Sequence, residues 1–204
     1  MSPSRAKSEN VTPVTSRGVQ RYERERDQSH RAAVFWLTGL SGSGKSTIAL
    51  AAERMLFRTG KRVVLLDGDN VRTGLCGDLG FSLEDRRENV RRVAEVARLY
   101  LESGHIVLCS FVSPTAEIRA FAKTIVGAED FHEVYVSADI ATCEARDVKG
   151  LYAKARAGEI RGFTGIDSPY EAPESPDVEL ATGEATLEDC IAEFLRYVRA
   201  STTD

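Results

Sequence analysis

Along most of the chain, short unbroken apolar runs alternate with longer stretches in which apolar residues recur every three or four positions. Five runs, at residues 33–37, 63–66, 106–109, 134–136 and 178–180, have the length and aliphatic content of strands buried on both faces. The stretches between them predict helices over 46–60, 82–104, 117–125 and 186–199. Two of these carry start signals, since Ser82 precedes Asp85 and Thr186 precedes Asp189 at capping-box spacing. The last places Ile191, Phe194, Leu195 and Val198 on one face, as a helix docked on a sheet requires. Strands alternating with helices predict an α/β fold with a central five-stranded parallel sheet flanked by helices.

Two segments depart from this rhythm. Residues 1 to about 30 are rich in Ser, Glu and Arg and sparse in aliphatic residues, so they are expected to form a flexible tail, ending at most in a short helix. With no apolar face to dock, the tail should be removable at little cost to stability. Glu23, Glu25 and Asp27 argue against a transit peptide. Residues 148–173 are basic in their first half and broken by Gly and Pro in their second, which predicts a mobile lid on a domain spanning 31–204.

Composition narrows the function. A formal net charge of −4 offers no surplus of cations for a polynucleotide backbone. Cys76, Cys109, Cys143 and Cys190 are widely separated and form no metal-binding or redox pair, the usage of a reducing compartment. No run is long and apolar enough for a membrane span, and the expected location is cytoplasmic.

Candidate chemistry concentrates after the first run. Gly39, Leu40, Ser41, Gly42, Ser43, Gly44, Lys45, Ser46 and Thr47 fit G-x-x-x-x-G-K-[ST] between an expected strand and an expected helix. In that context the loop amides cradle phosphates at a helix N-terminus, Lys45 neutralises the β and γ phosphates, and the Ser46 hydroxyl holds Mg2+. At the end of the next run, Asp67 and Asp69 fall at the carboxyl edge of a parallel sheet, where ligands bind. Asp69 is the candidate for accepting the substrate hydroxyl proton or orienting the metal, with Asp67 in support. The stripe of Val90, Val93, Ala94, Ala97 and Leu101, extended backwards, turns Asn89 and Arg86 inward at the cleft end of their helix.

The blocks HRAAVFWLTGLSGSGKST, LLDGDNVR, DLGFSLEDRRENVRR, FVSP and CEARDVKGLYAKARAGEIRGFTGIDSPYEAPESP, spanning about residues 30–182, resemble the adenylylsulfate kinase (APS kinase) family. The resemblance implies a P-loop kinase fold and Mg2+-dependent transfer of the ATP γ-phosphate to the 3′-hydroxyl of adenosine 5′-phosphosulfate, a step of sulfate assimilation. It implies acceptor contacts from Asp69, Arg72, Phe81, Arg86, Asn89, Val112, Ser113, Lys154 and Phe163, with Phe81 and Phe163 sandwiching the acceptor adenine. Arg146 and Asp147 would flank the ATP adenine, and Lys149, Lys154 and Arg156 would approach the phosphates as the lid closes. A homodimer is implied, as is functional coupling to an ATP sulfurylase.

In some bacterial members of the family the serine matching Ser113 is assigned as a phosphorylated intermediate. Direct transfer needs only in-line positioning, so a substrate-binding role is favoured here and a phosphoserine is the alternative. The family pattern continues Ser-Pro with an aromatic residue and Arg, whereas this chain reads Thr115-Ala116 and reaches its next Arg at Arg119. The competing readings are a P-loop kinase of another small metabolite and a nucleotide-binding homologue without turnover.

Overall fold

The computed structural model describes residues 17–203. Its elements run α1 (Arg21–Gln28), β1 (Ala33–Thr38), α2 (Lys45–Arg58), β2 (Val63–Asp67), α3 (Gly68–Arg72), α4 (Leu83–Glu102), β3 (Ile106–Ser110), α5 (Ala116–Val126), β4 (Phe131–Ser137), α6 (Ile140–Arg146), α7 (Leu151–Arg156), β5 (Val178–Ala181) and α8 (Leu187–Thr202). The five strands form one parallel sheet in the order β2-β3-β1-β4-β5, as the alternation of runs predicts. The two pairings of β1 place its C-terminal end between those of β3 and β4, with Leu37 opposite Ser110 and Thr38 opposite Tyr135.

All six residues of β1 are buried, because helices cover both faces of the sheet. Alternation along the strand divides its side chains between two cores. Ala33, Phe35 and Leu37 pack with Ile48, Ala52 and Phe194 from α2 and α8, whereas Val34 and Trp36 pack with Val90, Val93, Ala97 and Ile118 from α4 and α5. Ser82 and Thr186 cap α4 and α8 as expected, accepting the N–H groups of Asp85 and Asp189.

The expected tail ends in the short helix anticipated for it, and that helix is docked. Residues 1–16 of it lie outside the described residues, and 21–28 form a helix fastened to the residues just before β1 and β4. The Arg21 guanidinium grips both oxygens of Asp130 at 2.7 Å, and Glu25 accepts the Ala32 N–H at 2.8 Å. The hydrogen bond to Asp130 holds the Arg21 pKa above its ordinary value. This docking is ionic, so a search for an apolar face does not find it.

Candidate active site

The phosphate loop joins β1 to α2. Gly42 has φ +79°, and a Cβ there would stand 2.9 Å from the Cys143 carbonyl oxygen, so the turn excludes any side chain. Gly44, at φ +98°, is the N-cap of α2 and supplies no capping side chain. The first-turn amides of α2 are thereby left free for an anion. Lys45 lies along the loop, its Nζ donating to the carbonyls of Gly39 at 2.9 Å and Leu40 at 2.7 Å. Burial pulls its pKa down to about 8, against the opposing pull of Asp67 and Asp69.

The adjacent C-termini of β2 and β3 complete this end. Ser46 Oγ donates to Asp67 Oδ2 at 2.6 Å and lies 3.2 Å from Ser110 Oγ. Two hydroxyls and a carboxylate make a hard oxygen set that suits Mg2+ sharing its shell with phosphate oxygens. The residue beside Ser46 is thus Asp67, not Asp69. Asp67 ends β2 and caps α3, which carries Asp69 to the exposed side of the cleft, where it ion-pairs with Lys149 of the 148–173 segment.

A cleft of about 550 Å3 runs from this loop to the N-terminus of α4. Arg72, Phe81, Arg86, Asn89, Val112, Ser113 and Phe163 all line it. The Arg72 guanidinium lies 4.3 Å from the centre of the largely exposed Phe81 ring, and its Nη1 is fixed by the carbonyls of Leu79 and Gly80. Arg86 bonds the carbonyls of Phe81 and Gly162, each at 2.9 Å, which ties α4 to the 148–173 segment. Burial, then the charge of Arg72, lowers the Arg86 pKa. Asn89 is 5% exposed, and its Nδ2 has no hydrogen-bond partner. Across the cleft, Phe163 packs edge-on against Tyr152 with centroids 5.0 Å apart.

Residues 31–181 match the family model described as adenylylsulphate kinase. The chain belongs to the adenylylsulfate kinase family. An adenylyl-sulfate kinase from Bacillus licheniformis is 55% identical over 184 residues, covering 90% of this chain and 93% of that protein. A Mycobacterium tuberculosis APS kinase, solved in complex with AMPPNP and APS, superposes with a TM-score of 0.77 at 49% identity, covering 84% of this chain and 97% of that one. A Thiobacillus denitrificans APS kinase described as hexameric gives a TM-score of 0.63 at 27% identity, over 85% of this chain and 30% of that one.

Not every residue implied by the likeness to adenylylsulfate kinases faces the cleft. Lys154 does not line it, and Arg156 lies on the outer side of α7, paired with Glu144 at 2.9 Å. Arg146 braces the back of the phosphate loop, with Nη2 on the Thr182 carbonyl at 2.6 Å and Nη1 3.4 Å from the Gly42 carbonyl. Asp147 does line the cleft, and its carboxylate accepts the N–H groups of Tyr152 and Ala153 in the first turn of α7. Ser113 is 3% exposed, and its Oγ accepts the Trp36 indole N–H at 2.9 Å.

Two residues of this adenylylsulfate kinase site were not singled out by sequence. Tyr152 donates to the Ser41 carbonyl at 2.9 Å, and Thr182 to the Ser43 carbonyl at 2.7 Å, so α7 and the sheet edge both hold the phosphate loop. Tyr152 stands in the block that carries the resemblance and was a legible candidate. Nothing in the bare sequence marks Thr182.

Proposed function

We propose that the cleft holds Mg2+–ATP against residues 39–47 and adenosine 5′-phosphosulfate against Arg72, Phe81, Arg86, Asn89, Ser113 and Phe163, with the 3′-hydroxyl of the acceptor facing the γ-phosphate. The observation that carries this reading is the pairing of two unmet demands in one cleft. At one end are the free first-turn amides of α2 and the buried Lys45 ammonium. At the other are a lone buried Asn89 amide and the two arginines around Phe81.

On ATP binding, Lys45 exchanges two carbonyl acceptors for phosphate oxygens and regains a charge partner. Ser46, with Asp67 behind it, would hold Mg2+, which would supply charge neutralisation to the bound phosphates. Arg72 and Arg86 meet the phosphosulfate with planar donor forks, and the rings of Phe81 and Phe163 offer faces to its adenine. Asp69 lies at the mouth between the two ends and gives up Lys149 to take the acceptor's hydroxyl proton, while Lys149 turns to the transferring phosphoryl group. Ser113 acts as a binding residue, because its hydroxyl is buried and already engaged by Trp36. Contact with phosphates by Lys154 or Arg156 requires a further movement of the lid. A homodimer and supply of the acceptor by an ATP sulfurylase complete the proposal, supported by the resemblance and, for assembly, by the hexameric relative.

The test is ADP release with each candidate acceptor. Release that requires adenosine 5′-phosphosulfate supports the reading. Equal release with other hydroxyl acceptors, or none with any, overturns it.

A further inference from the structure

Among the described residues outside the phosphate loop and the acceptor contacts, one buried ion pair stands out. Arg119 on α5 is 4% exposed, and its Nε donates to Glu133 Oε1 on β4 at 2.6 Å. It does not line the cleft. Its free Nη1 reaches the Ser113 carbonyl at 3.1 Å. Ser113 is a non-glycine residue at φ +42°, a left-handed conformation that persists only where the surroundings impose it. Among the described residues, the other groups on residues 112–114 are uncharged: Trp36 on Ser113 Oγ, Thr38 Oγ1 on the Val112 carbonyl at 2.7 Å and, more distantly, on the Ser113 carbonyl at 3.4 Å, and the Glu171 N–H on the Pro114 carbonyl at 2.8 Å; the Glu171 carboxylate takes the Ala116 N–H just beyond, at 2.7 Å.

We infer that Arg119 is a positioning residue for the acceptor site: locked by Glu133, its guanidinium holds the strained Ser113 turn in the shape that presents Val112 and Ser113 to the acceptor nucleotide. The inference rests on the proposed placement of the acceptor. A guanidinium suits the task because one planar fork serves both partners, Nε on Glu133 and Nη1 on Ser113, which fixes their relative position. A lysine cannot bridge them with that geometry.

The chain carries its own reporter, because Trp36 is its only tryptophan and its N–H is bonded to Ser113 Oγ. Arg119→Lys keeps the charge beside Glu133 and so spares the fold, while Arg119→Met combined with Glu133→Gln removes both charges together. In both variants the turn relaxes and Ser113 Oγ withdraws. Trp36 emission should then shift to shorter wavelength, as in Ser113→Ala, with no nucleotide present. KM for adenosine 5′-phosphosulfate should rise about fivefold or more, the loss expected for one hydrogen bond, with KM for ATP unchanged. In a Ser113→Gly background the same Arg119 change should add less than twofold, because it acts through Ser113. Wild-type emission in Arg119→Lys while Ser113→Ala shifts, or a lowered melting temperature with neither KM moved, overturns the inference. Absence of acceptor turnover in the wild-type chain would instead contradict the functional proposal, leaving the emission comparison to decide this one.

Discussion

Replacing Arg86 by Ala should weaken adenosine 5′-phosphosulfate far more than ATP. Arg86 stands at the start of α4, with Nε and one Nη2 hydrogen committed to the carbonyls of Phe81 and Gly162. Of the five N–H donors of a guanidinium, three therefore remain for an anion. Burial and the neighbouring Arg72 both disfavour its charge, so a bound anion would offset that electrostatic cost. A hydrogen bond to a charged partner contributes about 1.5–3 kcal/mol, equivalent to roughly a ten- to hundredfold loss of acceptor affinity. Arg86→Lys, which keeps the charge but loses the fork, should fall between. Asn89→Ala should cost less, about fivefold, since its bond is neutral on one side. Titrating each variant separately with the acceptor and with a non-hydrolysable ATP analogue measures both affinities. Loss confined to the ATP analogue, or no loss of either, would refute the reasoning and remove α4 from the acceptor site.

Lys45 titrates at about 8 in the folded chain against 10.5 when unperturbed, so kcat/KM for ATP should fall above pH 8. The same shift makes its contribution to stability least favourable below pH 8 and lets it improve as pH rises from 8 to 10.5, a trend that chemical denaturation across that window should lose in Lys45→Met. Asp67→Asn should raise the Mg2+ concentration for half-maximal activity by about ten- to hundredfold, whereas Asp69→Asn should lower kcat by about a hundredfold or more without moving that requirement. Deleting residues 1–25 removes Arg21 and Glu25; discounted for partial exposure, this should cost about 2 kcal/mol, read as a drop of about 4–8 °C in melting temperature. An unchanged melting temperature would show that α1 is fastened only loosely.

The sheet was legible because strands covered on both faces leave continuous apolar runs, and β1 is buried at every position. The residues beyond those runs are the informative ones. β1, β2 and β3 each extend one residue further than the run predicts, to Thr38, Asp67 and Ser110, and the last two meet Ser46 at the ligand edge. A polar residue at a strand end reads as a loop in sequence, yet it is how the sheet presents chemistry. β4 begins earlier than expected because its polar members have partners elsewhere: His132 bonds Tyr197 of α8 and Glu133 bonds Arg119 of α5. The short helices α6, capped by Asp139, and α7, whose first-turn N–H groups go to the Asp147 carboxylate, carry too few residues for a periodic signal. Lys45, Ser46 and the inward turn of Arg86 and Asn89 were readable because loop geometry and helical phase are local. The pairing of Asp69 with Lys149 and the left-handed turn at Ser113 were not, since both are set by contacts between segments distant in sequence.

The most direct test of the central claim is the identity of the phosphorylated product, followed by 31P NMR of a reaction containing this chain, Mg2+, ATP and adenosine 5′-phosphosulfate. The account predicts ADP and a new phosphomonoester on the acceptor's 3′-oxygen in equal amounts, with the phosphosulfate bridge intact. Inorganic phosphate released from ATP without a 3′-phosphorylated product, or phosphate found at any other acceptor position, would contradict it.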